Sequence, residues 1–83
     1  MPVRNKLAVI GILVGNRGES ACQVNNVLSR CGDIIVGRLG VPYKEKNIWV
    51  ISIIVDASGD AITTLAETLS GIAGVSAKVA VVA

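Results

Sequence analysis

Residues 47–55 are apolar at almost every position. A strand turns successive side chains to opposite faces of its sheet. Trp49, Ile51, Ile53 and Val55 then point one way, and Ile48, Val50 and Ile54 the other, with Ser52 as the polar break. A strand of this kind needs cover on both faces. Elsewhere the period lengthens. Ala21, Val24, Leu28 and Cys31 recur at helical spacing, as do Ile62, Leu65, Leu69 and Ile72, and each set makes one apolar stripe. Gln23, Asn26 and Arg30 lie on the far side of the first helix, and Thr63, Thr64 and Glu67 on the far side of the second. The pattern predicts strands over 7–14, 33–40, 48–56 and 75–82, with helices over 19–31 and 60–72. Gly18-Glu19 and Gly59-Asp60 open the helices with an acid in the first turn, where the helix dipole favours it. Gly32 and Gly74 are the expected stops. Residues 40–47, with Pro42 and the charged Lys44-Glu45-Lys46, read as the turn between the halves.

The two halves superpose at an offset of 41 residues. Leu7 meets Ile48, Val14 meets Val55, Gly18 meets Gly59 and Glu19 meets Asp60, and the helical stripes coincide. A tandem of split β-α-β units implies an α+β, ferredoxin-like βαββαβ sandwich, a four-stranded antiparallel sheet with two helices on one face. The other face stays bare in a monomer, and a patch of Val and Ile is an interaction surface. A homo-oligomer, dimer or dimer of dimers, is therefore expected through the sheet face opposite the helices.

Composition narrows the picture. Eighty-three residues make one domain, 1–83, whose small core gains from oligomerisation. The chain is 52% hydrophobic but has no Phe, one Trp and one Tyr, so Val, Ile, Leu and Ala build the core. Its net charge of +2 is spread along the chain, which argues against nucleic-acid binding. The apolar stretch after Lys6 is too short for a membrane helix and lacks a signal-peptide pattern. A cytoplasmic protein with no membrane partner is expected.

Candidate chemistry is sparse. There is no His, and none of the six carboxylates pairs at motif spacing; no catalytic residue, metal site or cofactor is expected. Cys22 and Cys31, if both lie on the first helix, are about 13 Å apart along its axis, too far for a disulfide. Cys31 falls on the core stripe and Cys22 on the polar side, near the helix start. The best ligand candidate is the loop Gly15, Asn16, Arg17, Gly18, Glu19, which leads from a strand into a helix N-terminus. Backbone N–H groups there suit a carboxylate or phosphate, and Arg17 adds a charged donor. The plain alternative is a glycine turn with a solvated Arg. Arg38 interrupts its strand on the face of Ile34 and Val36. There it serves either an interface or effector role or as an edge charge that discourages aggregation.

The segments 33–43, 48–56 and 69–78 resemble the iron-only hydrogenase system regulators, small ACT-like domains encoded near hydrogenase maturation functions in anaerobic bacteria. The most specific features are Gly37-Arg38-x-Gly40-x-Pro42-Tyr43 and Gly71-x-x-Gly74-Val75. The resemblance implies the ferredoxin-like fold and a regulatory role, and with no catalytic centre in the sequence a non-enzymatic domain that senses a small molecule or modulates a partner is expected. The chain is more distantly similar to ACT domains, which bind amino acids or other small effectors at domain interfaces through the loop after strand 1. That implies a small anionic or amino-acid-like effector. Asn16-Arg17-Gly18 stands where an ACT domain often has an acid before the glycine. The histidines of the similar nickel-responsive regulators are absent, so their metal site does not carry over. Two other classes stay open, a ligand-free assembly module and an acylphosphatase-like enzyme. The second would use Arg17 for phosphate and Asn47 for water, although the glycines around Arg17 do not match that family.

Overall fold

The computed structural model describes residues 5–15 and 18–83. The elements are β1 (Lys6–Val14), α1 (Glu19–Arg30), β2 (Ile35–Tyr43), β3 (Ile48–Ala57), α2 (Gly59–Ser70) and β4 (Val75–Val81), with a 3₁₀ turn at Lys44–Lys46. The strands form one sheet in the order β2-β3-β1-β4, and every neighbouring pair is antiparallel. This is the expected ferredoxin-like sandwich, with the two most apolar strands at its centre.

One face carries the core. Ala8, Ile10, Ile12 and Val14 of β1 lie beside Ile51, Ile53, Val55 and Ala57 of β3, and all are buried. Val24 and Leu28 of α1, with Ile62, Leu65 and Leu69 of α2, close over them. The 41-residue offset therefore maps one buried strand face onto the other. Cys31 and Ile72, the last members of the two stripes, fall just beyond the helix ends and are half-buried against the same core.

Several boundaries differ from the sequence expectation, among them the start of β2 at Ile35 instead of Asp33. The helices end at Arg30 and Ser70, before the predicted 31 and 72. α2 begins at Gly59, behind the N-cap Ser58, whose Oγ accepts from the Ala61 N–H at 3.2 Å. β2 runs on to Tyr43, so Pro42 sits in a strand opposite Trp49 and not in the turn. β2 is an edge strand, where a missing N–H is tolerated. The reversal needs only Lys44–Lys46 and Asn47, whose φ of 53° is left-handed, a conformation Asn tolerates better than most residues.

β2 also contains a bulge. Ile35 pairs with Val55 but Gly37 with Ile54, leaving Val36 as the extra residue. A bulge shifts the alternation beyond it by one position. Arg38 consequently pairs with Ile53 and lies on the helix side of the sheet. The unbroken alternation that put it on the face of Ile34 and Val36 does not hold.

Candidate functional site

Val14, at the end of β1, pairs with Trp49 on one side and Val75 on the other. The chain leaves the sheet there through Gly15. Asn16 and Arg17 lie outside the described residues, so of the candidate loop Gly15, Gly18 and Glu19 can be placed. Gly15 donates its N–H to the Gly74 carbonyl at 2.8 Å. A Cβ on Gly15 would stand 3.2 Å from that same oxygen, so the close approach favours glycine. Gly74 itself has a left-handed φ of 77°. On the far side of the loop, the buried Ser20 donates its hydroxyl to the Ala73 carbonyl at 2.7 Å. Both ends of the loop are thus fastened to the turn before β4, while Glu19 is exposed in the first turn of α1.

Ser20 and Ala73 were not singled out in the sequence, and Gly74 appeared there only as a helix stop and in the Gly71-x-x-Gly74-Val75 feature. The only hint was the Gly71-x-x-Gly74 spacing, and the contact spans 53 residues of chain. The same end of the sheet has a niche of about 390 Å³ lined by Ala21, Gly40, Pro42 and Trp49. Trp49 is half-buried on the helix side, and its indole lies against Gly40, where a Cβ would come within 3.1 Å of Nε1. Gly40 and Pro42 alternate on β2, which keeps the strand low where the ring lies across it.

Arg38 does not join this cluster. It lies four strand positions from Pro42, about 13 Å along the sheet. Its guanidinium donates to Asn25 Oδ1 of α1 at 3.1 Å on an exposed surface. Between the two helices a groove of about 440 Å³ has an apolar floor that includes Val27, Ile34 and Leu65, with Arg30 and Asp33 among its lining residues. Cys31 reaches this groove as a free thiol, and Cys22 is a free, exposed one. Among the described residues, no three His, Cys, Asp or Glu side chains gather as a metal site would require. Among the same residues, no helix is long and apolar enough to cross a membrane.

Among the described residues, nothing covers the other face of the sheet. Leu7, Leu13, Val50 and Ile54 on the central strands are each about two-fifths exposed, and Leu39, Val41 and Tyr43 extend the patch over β2.

The comparisons agree with this architecture. The family model described as "TM1266-like: Iron-only hydrogenase system regulator, putative" matches residues 6–79. The chain belongs to that family. The structure of the uncharacterized protein TM1266 from Thermotoga maritima is similar over 96% of this chain and 100% of its own, at 28% identity and a TM-score of 0.93. The ACT domain of the GTP pyrophosphokinase of Chlorobium tepidum is similar in crystal form over 92% of this chain and 99% of its own, at 20% identity and a TM-score of 0.77. Its solution structure is 22% identical, with a TM-score of 0.71 and coverage of 95% and 88%. At that identity the likeness shows the fold, which is ACT-like. No curated protein matches this chain.

Proposed function

We propose that this chain is a non-catalytic regulatory domain that assembles with copies of itself through the open face of its sheet. It senses a small anionic or amino-acid-like effector beside the β1–α1 loop, in the cytoplasm. The observation that carries this reading is the bare face itself, on which Leu, Val and Ile of three adjacent strands stand exposed. An apolar patch of several hundred Å² is uncommon on a monomer. Membership of a family described as hydrogenase system regulators supports the regulatory role. The loop adds a place where an effector can act, because Gly15 and Ser20 tie it to the turn before β4. An effector that prefers one arrangement of the loop shifts the population of that arrangement by its difference in affinity.

The test is a thermal-shift screen of the whole chain with amino acids, nucleotides and phosphate esters, alongside sedimentation. A ligand far above its dissociation constant should raise stability by about 3–4 kcal/mol. Arg17→Ala should weaken that ligand by about 1.5–3 kcal/mol, the worth of a charged hydrogen bond, and leave assembly unchanged. A monomer at micromolar concentration would remove the assembly, and unaltered affinity in Arg17→Ala would move the effector to another loop.

A further inference from the structure

We infer that the open face pairs with the same face of a second copy across a two-fold axis running along β3, so that Leu39 of each copy seats over Gly11 of the other. This rests on the assembly proposed above and adds its register.

The first observation is a pair of glycines. Gly11 lies in the middle of β1 and Gly37 in β2, and among the described residues a Cβ on either would meet nothing within 4 Å. Among the described glycines, only Gly74 has a positive φ. Neither backbone conformation nor packing within the chain therefore calls for glycine at Gly11, where it weakens a central strand. A strand-interior glycine without an internal reason marks the close approach of another group.

The pairings place that group. Across the open face, Leu39 stands opposite Ser52, Ser52 opposite Gly11 and Gly11 opposite Lys78. The row is a knob, two small residues and a charge, and the knob is 65% exposed. In the next row, Gly37 and Val9 flank Ile54; in the one before, Val41 and Leu13 flank Val50. A two-fold along β3 exchanges β2 with β1 and preserves the rows. Leu39 then meets Gly11, Val9 meets Gly37, and Ser52 meets its own equivalent on the axis; Asp56, opposite Leu7 at the end of the patch, also faces its own equivalent, at the exposed rim where water screens the two carboxylates. β4 falls outside the partner's edge, so Lys78 keeps its water.

Two other two-folds do worse on the same residues. An axis between β3 and β1 exchanges β2 with β4 and sets Leu39 on Lys78, burying an unpaired charge, which is strongly unfavourable. An axis across the strands at Ser52 sets Leu39 on Leu39 and Lys78 on Lys78. Extension of the sheet at β2 is opposed by Pro42 and the bulge at Val36, both devices that protect an edge. Three strands of nine residues have a flat footprint of about 400 Å² per copy before side-chain relief, or about 800 Å² for the pair, the size of a weak or transient interface. The exchange also carries the partner's Tyr43, opposite Ile48 in its own sheet, towards Gly15. The candidate loop thereby borders the interface.

The experiment is cross-linking with a short thiol-reactive bifunctional reagent spanning about 5 Å, the gap left between facing thiols of two packed sheets, in a Cys22→Ser, Cys31→Ala background. Equal parts of the Leu39→Cys and Gly11→Cys variants should cross-link when mixed and treated with it, while neither does so alone. Ser52→Cys should cross-link to itself. Sedimentation of Ile54→Lys, about a hundredfold or more weaker as a dimer, tests the underlying assembly separately. If wild type is a monomer at micromolar concentration, both ideas fall. If wild type pairs and Ile54→Lys dissociates it, but Leu39→Cys traps itself or the mixture does not cross-link, the register alone is wrong.

Discussion

The two faces of the sheet are nearly equal in apolar character and opposite in fate. On β3, Ile51, Ile53 and Val55 are wholly buried, whereas Val50 and Ile54, one position away, are 39% and 41% exposed. Side-chain hydrophobicity does not separate the two sets. What separates them is that both helices land on the same side, as a tandem of right-handed β-α-β units requires. The residues left outside then keep the composition of a core without its cover. On the proposed assembly the second face is a core awaiting a partner, and identical substitutions on the two faces should then do different things.

The sharpest way to break this comparison is a charge on each face. Ile53→Lys should abolish folding, since an unpaired buried charge costs about 3–5 kcal/mol or more, a large share of the stability of a small domain. Val50→Lys should leave a folded monomer. Circular dichroism with sedimentation reads both, and equal unfolding by the two variants would erase the distinction. Next in size are truncations. Ile10→Ala should cost about 2–5 kcal/mol at every protein concentration. Leu13→Ala should cost less, and its effect should shrink on dilution as the paired form is lost. Denaturant titrations at two concentrations separate these outcomes.

Smaller effects sharpen the account of the covered side. Ser58→Ala removes the N-cap of α2 and should cost about 1 kcal/mol. Ser20→Ala should cost a similar amount by losing the bond to the Ala73 carbonyl, and should also loosen the β1–α1 loop, visible as faster hydrogen exchange at Gly15. Arg38→Ala should change stability by less than about 0.5 kcal/mol, because its bond to Asn25 is solvent-exposed. A larger loss there would show that Arg38 clamps β2 to α1.

Much of the fold could be read before any coordinates. The helical stripes, the 41-residue offset and the two apolar faces of β3 are local patterns with a physical period. They led to the strands, the helices and the ferredoxin-like arrangement, and the family match agrees. The misplaced features were those where one residue breaks a period. Val36 adds itself to β2 and turns Arg38 to the other face. Pro42 looks like a turn residue until its strand proves to be an edge. The candidate site was legible only as a glycine-rich loop. Its fastening by Ser20 and Gly15 joins residues more than fifty positions apart, and no local pattern announces such a bond.

Periodicity settles which residues share a face, because strand and helix geometry act over a few residues. It also shows that β3 is apolar on both faces. Which face the helices cover and where a strand end meets a distant turn are matters of long-range packing. They depend on how elements far apart in the chain come together, and tertiary structure alone decides them.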